Sequence, residues 1–255
     1  MLILAAALRR EAASVKRRMR IQRVLRGPTW RAALGMLGER QTILVQSGMG
    51  RSRSEAAIRS VLSAYDADVL ISFGFAGALA EELKPGDLVL ASEVHAIRAY
   101  DEDEAHAEAI PVDLSLRTQA EAILKRAGIA CTTGNFVTEM GPVTVPEEKE
   151  TLHQRYDAVA VDMESAWIAQ ISAQEGVPFL ALRAISDTIH EEILPFDQFM
   201  TSEGGWKKRR AVTFFLRHPS RVSVLLRLAA HTRWARRSLS EALGRLGDGL
   251  SSGEG

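Results

Sequence analysis

Three carboxylates stand where chemistry could be done: Asp162 and Glu164 at the end of AVAVDME, and Asp187 at the end of FLALRAISD. Each closes an apolar run, and a buried carboxylate without a partner is costly, so these acids need partners or a task. In an extended chain Asp162 and Glu164 share one side and lie about 7 Å apart. By the same alternation Arg183, Ile185 and Asp187 share a side. Acids converging from two strands into one cleft suit proton transfer or the recognition of sugar hydroxyls. Plainer readings stand beside this one. Glu164 opens the helical pattern SAWIAQISAQEG, where the helix dipole favours a carboxylate. Asp187 could cap a helix or pair with Arg183.

Two glycine-bearing loops follow apolar runs. In QSGMGRSRSEAA (46–57), Gly48 and Gly50 precede a helical pattern, with Arg51 and Arg53 nearby. Backbone N–H groups there could approach an anion, although tight turns account for the glycines equally well. The loop is neither a Walker loop nor a dinucleotide fingerprint. In SFGFAGALAEELKPGD (72–87), Gly74 and Gly77 flank Phe75 and Ala76, and KPGD is an ordinary turn.

The elements that must position these groups alternate in type. Strands are predicted at 2–8, 42–47, 69–73, 87–94, 158–162 and 179–185, several of them apolar throughout, as strands covered on both faces are. Between them, Ile58, Val61, Leu62 and Tyr65 repeat at helical spacing, and LSLRTQAEAILKRAG reads as a helix closed by Gly128. The alternation predicts an α/β fold: a three-layer α/β/α sandwich around a mixed, largely parallel central sheet. Ligands in such folds bind beyond the carboxyl ends of the strands.

The whole chain narrows the function classes. Its 255 residues are 46% hydrophobic, enough for a sizeable core. Basic and acidic residues balance at 32 each, which gives no general case for nucleic acid as a partner. The single cysteine, Cys131, excludes an internal disulfide framework and fits a reducing, cytoplasmic setting. The opening MLILAAALRREAAS lacks the basic n-region of a signal peptide, no apolar run is long enough to span a membrane, and the six histidines lack metal-ligand spacing. No cofactor is expected. The charge is uneven, however. Residues 206–240 carry Lys and Arg but no acid, with Val222, Leu225, Leu226 and Ala229 at helical spacing and Trp206, Phe214, Phe215 and Trp234 among them. Such a stretch suits peripheral contact with a membrane, or a terminal helix packed on the domain with solvated arginines. The expected organisation is a domain over 1–205, a basic amphipathic helical extension over 206–246, and a disordered Gly/Ser-rich tail over 247–255.

SGMG, ISFGFAGALAEELKPGDLVLASEV, AVAVDMESAWIAQISAQEGVPFLALRAISD and the first strand followed by Glu11 together resemble one family. It is the nucleoside phosphorylase and nucleosidase family that includes 5′-methylthioadenosine/S-adenosylhomocysteine nucleosidase, matched in order and spacing over roughly residues 1–200. The resemblance implies release of adenine from a nucleoside by cleavage of its N-glycosidic bond, by a homodimeric enzyme. It gives Glu164 the ribose 2′- and 3′-hydroxyls and lets Met163 pack on the sugar. Asp187 becomes the acid at purine N7, with Ser186 and Arg183 orienting it or the nucleophile side. Glu11 falls where hydrolytic members place the glutamate that activates water.

Departures from the family pattern matter as well. Asp162 replaces a usual glutamate, and Phe75, after Gly74, stands where the loop normally presents Ser or Cys. That loss of a hydroxyl leaves both water and inorganic phosphate open as co-substrate, with Arg9 and Arg10 as candidate cations for phosphate. Pro142 and Val143 fall where other members place Phe-Ile beside the base. GNFVTEMGPVTVPEEKETL, AVDMES and RAISDTIHEEILP resemble the hopanoid-associated phosphorylases, which implies a lipid-linked substrate, adenosylhopane. Alternatives are a methylthioadenosine/S-adenosylhomocysteine or futalosine nucleosidase, a glycosidase using Asp162 and Glu164, and a non-catalytic nucleoside-binding module.

Overall fold

Alternate residues of Leu2–Ala6 (β1) face opposite ways, and both sets are buried, so the first strand carries helices on both sides. The structure, a computed structural model, describes residues 1–97, 108–194, 201, 207–218 and 221–250. After β1 come α1 (Arg9–Lys16), β2 (Met19–Arg26), β3 (Arg31–Leu37), β4 (Arg40–Gln46), α2 (Arg51–Leu62), β5 (Val69–Ala78), β6 (Leu88–Ala96) and β7 (Glu108–Pro111). The chain continues through α3 (Leu114–Arg126), β8 (Thr132–Thr138), α4 (Pro146–Tyr156), β9 (Ala158–Asp162), α5 (Ser165–Gln174), β10 (Phe179–Asp187), α6 (Lys208–Arg217) and α7 (Arg221–Gly249).

The strands form one mixed sheet. β1 runs parallel between β4 and β5, and β10 runs parallel along the other edge of β5. β3 and β2 extend the β4 side antiparallel. On the far side β10 pairs β6, β6 pairs β8, β8 pairs β9, and β9 returns to β5, so five strands close a ring. β1 pairs with β5 only through Ser72, and β9 joins β5 at Gly77. Between those points the edge of β5 is open, at the carboxyl ends of β1, β5 and β10. That opening positions the site.

Helices α2 and α5 cover one face, with Ile58, Val61, Trp167 and Ile171 packed over Ile3, Ile43 and Leu70. Helices α1, α3 and α7 cover the other, with Val15, Leu124, Leu239 and Leu243 over Leu2, Leu4 and Leu180. Gly128, at φ +70°, ends α3 as expected of a left-handed C-terminal glycine.

Several expectations need correcting. β2, β3, β7 and β8 were not among the predicted strands: β2 is an exposed ribbon rich in arginine, and β8 is half polar, so neither shows a buried run. The chain beyond 205 is not an appendage throughout. Ala235, Leu239, Ala242, Leu243 and Leu246 of α7 repeat on one helical face and lie in the sheet core, because small and aliphatic side chains there meet no competing charge. The first half of α7 differs, with Leu226 65% and Trp234 56% exposed. Nor does disorder start at 247: α7 runs to Gly249, Leu250 is buried, and its carbonyl accepts a 2.6 Å bond from Arg40 Nη1. Trp206, the side chain of Phe215 and residues 251–255 lie outside the described residues.

Candidate active site

Glu11 sits in the first turn of α1 and is buried. Its Oε2 accepts from the Leu8 N–H at 2.7 Å, and its Oε1 accepts from the Phe75 N–H at 2.9 Å. The second donor comes from the open edge of β5. Phe75 therefore contributes its backbone where a side-chain hydroxyl was expected to be missing. Gly74 is not on the cleft wall, but it makes this approach possible: a Cβ there would lie 2.6 Å from Glu11 Oε1. Burial pushes the Glu11 carboxyl above the usual range, opposed by the two N–H donors and by the charge of Arg183.

Asp162 and Arg183 form a buried pair, with Nε to Oδ2 at 2.7 Å. Asp162 Oδ2 also accepts from the Ser165 hydroxyl, and Oδ1 accepts from Thr138 Oγ1 at 2.7 Å and from the N–H groups of Glu164 and Ser165. Arg183 Nη2 donates to the hydroxyls of Ser72 and Ser165 at 2.8 and 2.7 Å. Of the two places offered for Arg183, beside Asp187 or on the nucleophile side, the first is not taken. β10 shifts register between Ile185 and Asp187, so strict alternation fails at that point. Arg183 stands on the Glu11 side of the site.

Glu164 turns the chain into α5, and its Oε1 accepts from the Gly50 N–H at 2.8 Å. The first glycine loop, 46–57, thus uses its free N–H on a carboxylate of the protein. Gly50 has φ +86°, the left-handed region that suits glycine, at the start of α2. Arg51 pairs with Glu55 at 2.8 Å and lies over the Trp167 ring, so it does not serve an anion in the loop. Burial, then the neighbouring Asp162, pushes the Glu164 carboxyl up to about 8.

Asp187 ends β10 beside Gly77, where a Cβ would lie 3.0 Å from Oδ2. Ser186 Oγ lies 2.6 Å from Asp187 Oδ1 and 3.1 Å from the Ala76 carbonyl. The remaining oxygen binds a residue that sequence reasoning missed, Lys149 of α4, fully buried, with Nζ 2.5 Å from Oδ2. A signal for it existed: Lys149, Leu152 and Tyr156 share a helical stripe, so one lysine occupies the inward face of α4.

These groups meet in one cleft. Glu11, Glu164, Asp187, Ser186, Met163, Val143 and Phe75 line it, with Arg10, Asp162, Pro142, Met49 and Ile193, whereas Arg9, Arg51, Arg53 and Arg183 do not. Glu11 is anchored at Phe75 and Asp187 sits against Gly77, two residues on along β5, so their attachment points are roughly 7 Å apart. A base on one side of a sugar and an acid on the other is what breaking a glycosidic bond requires. The last wall comes from α7, through Leu225, Leu228, Ala229 and Thr232, and is mostly apolar. Among the described residues no cluster of metal ligands exists, and no helix is long and apolar enough to cross a membrane.

Residues 2–211 match the family model described as the phosphorylase superfamily. Among curated relatives, 5′-methylthioadenosine/S-adenosylhomocysteine nucleosidase of Shewanella halifaxensis is 29% identical over 191 residues, 67% of this chain and 79% of the relative. The Bacillus subtilis protein of the same name is 29% identical over 171 residues, 63% of this chain and 74% of the relative. Futalosine hydrolase of Helicobacter pylori superposes with a TM-score of 0.78 at 20% identity, covering 98% of this chain and 97% of that one. The Neisseria meningitidis nucleosidase in complex with methylthio-immucillin-A gives the same score and identity, over 98% and 99%. At that identity the solved structures establish the fold.

Proposed function

The chain belongs to the phosphorylase superfamily, and from that premise we propose that it cleaves the N-glycosidic bond of an adenine nucleoside, with water as the acceptor. The relatives named as nucleosidases support this reaction class. The observation that carries the choice of water is Glu11. Its carboxylate is held by two backbone N–H groups on the nucleophile side, so a phosphate there would be repelled by a buried like charge. A carboxyl raised by burial is also better matched to accepting a proton near neutral pH. In this reading water attacks C1′ as Glu11 takes its proton. The C1′–N9 bond breaks toward the base, and Asp187 gives a proton to N7. Glu164 binds the 2′- and 3′-hydroxyls, and Met163 packs on the sugar.

The apolar wall from α7 suits an apolar 5′ substituent. With the resemblance to hopanoid-associated phosphorylases, this makes a lipid-linked nucleoside, adenosylhopane, the proposed substrate and a ribosyl-hopane the second product. The exposed basic side of the first half of α7, which carries Leu226 and Trp234 while Ala235 and Leu239 stay in the core, then contacts an anionic membrane surface; loss of liposome co-sedimentation at high salt tests that contact.

The deciding experiment incubates the protein with 5′-methylthioadenosine and with its 5′-octylthio analogue, with and without phosphate, and identifies base and sugar products. Adenine and a free sugar, released at a rate indifferent to phosphate, are expected. Strict dependence on phosphate overturns hydrolysis. A kcat/KM for the methylthio compound more than about tenfold above the octylthio one overturns the lipid-linked reading in favour of a small 5′ group, since burying the extra methylenes should favour the longer chain.

A further inference from the structure

We propose that Lys149 is the positioning residue of the leaving-group acid: it fixes which oxygen of Asp187 carries the proton and stabilises the carboxylate left after transfer. The inference rests on the reading of Asp187 as that acid and adds a residue from a separate element, α4. Lys149 is fully buried, and its ammonium spends its three protons on three oxygens: Asp187 Oδ2 at 2.5 Å, the Thr188 carbonyl at 2.7 Å and the Glu191 carbonyl at 3.1 Å. An ammonium donates and cannot accept, so Oδ2 facing it cannot bear a hydrogen directed at it. Hydrogen-bonded to a cation, Oδ2 is the less basic of the two oxygens, which leaves Oδ1 to carry the transferable proton.

Oδ1 has the adaptable partner. The Ser186 hydroxyl reaches both Oδ1, at 2.6 Å, and the Ala76 carbonyl, at 3.1 Å. It can donate to Ala76 while accepting from a protonated Oδ1, or swing to donate to an ionised one. When the C1′–N9 bond breaks, its electron pair passes to the base, and N7 takes the proton from Oδ1. Asp187 is left as a carboxylate whose new charge faces the Lys149 ammonium, which keeps all three of its own protons. Stabilising a charge that appears only as the reaction proceeds lowers the barrier without tightening ground-state binding. A mere structural clamp predicts a different pattern, in which folding suffers and the rate follows.

The test is a double-mutant cycle of K149M, D187N and K149M/D187N, with K149R as the conservative variant. Adenine release is followed from the faster of the two 5′-thio substrates, and folding by thermal unfolding. K149M should lower kcat by about 10²-fold with KM within about threefold of wild type, the scale of losing assisted proton transfer. K149R should restore at least about tenfold of that loss. The double mutant should be no slower than D187N alone, because the two act as a unit. If K149M keeps kcat within about threefold, or if its loss multiplies with that of D187N, Lys149 does not serve the acid. If D187N itself turns over at the wild-type rate, the acid assignment fails first and the inference falls with it. Should K149M not fold, K149Q takes its place in the same cycle.

Discussion

Two buried cation–carboxylate pairs stand at the carboxyl end of the sheet, Arg183–Asp162 and Lys149–Asp187, and they differ in what they leave free. Both carboxylates are nearly inaccessible, 6% for Asp162 and 3% for Asp187, so burial does not separate them. Hydrogen bonding does. Asp162 accepts from a guanidinium, two hydroxyls and two backbone N–H groups, which occupies it fully. Asp187 has one ammonium and one rotatable hydroxyl, and it borders the cleft with capacity to spare. The cations differ as well: arginine stays charged, whereas lysine can neutralise by losing a proton. A saturated pair holds the ring of strands together, and an unsaturated one is available to a substrate.

The largest effects should divide along that line. D187N should lower turnover by about 10²–10⁴-fold, because an amide cannot deliver a proton. D162N should instead act on stability, costing about 3–5 kcal/mol, since it leaves a permanently charged Arg183 buried without its counter-ion. D187N should cost less than half as much, because Lys149 can shed its charge. Urea unfolding and adenine release on both variants check this. Equal stability losses, or an inactive but stable D162N, would erase the distinction between the pairs.

The strands and acids behind this contrast were legible in the sequence, and the pairs themselves were hidden for identifiable reasons. AVAVD and FLALRAISD announced apolar strands ending in acids, and the alternation with helical patterns announced the layers. Alternation offered an Arg183–Asp187 pair as one alternative, and a register shift between Ile185 and Asp187, which cannot be read from residue types, rules it out. Lys149 looked like one of several charges in PEEKETLHQRY, and only the fold shows that its stripe faces inward. The α7 stripe from Ala235 to Leu246 was readable, but the arginines around it drew attention to the surface. Glu11 came from resemblance. Its partner, the Phe75 N–H, depends on the gap left where β1 parts from β5, a feature of topology with no local signature.

A smaller effect probes the carboxylate beside the saturated pair. Glu164 is the proposed ligand of the ribose diol, and a charged hydrogen bond of this kind, present once the carboxyl is ionised above about pH 8, is worth about 1.5–3 kcal/mol. E164Q should therefore weaken kcat/KM for ribosides by roughly 10–100-fold, and for 2′- and 3′-deoxy analogues by much less. Equal losses on both would reduce Glu164 to a residue that merely opens α5.

The last expected effect concerns stability and sharpens the reading of the saturated pair. Glu164 lies beside Asp162, whose negative charge, after burial, is the next cause lifting its carboxyl to about 8, while Arg183 pulls the other way. In the unfolded chain the same group titrates near the ordinary 4.5. Between those values the native state binds the extra proton, so the unfolded state binds fewer and stability falls as pH rises. The contribution is harmless below 4.5, where both states are protonated, and the cost is complete above about 8, where both are ionised. E164Q removes the titration. Its melting temperature should match that of wild type near pH 4.5 and move above it as pH rises to 8, by on the order of 2–4 °C for each kcal/mol relieved. The gap should shrink when Glu164 is ionised in the background of D162N, because the like charge is then absent. A gap that is constant with pH, or that widens toward acid, would mean that the Glu164 carboxyl is not raised at all, and a gap unchanged in the D162N background would mean that burial alone raises it and Asp162 is not felt there.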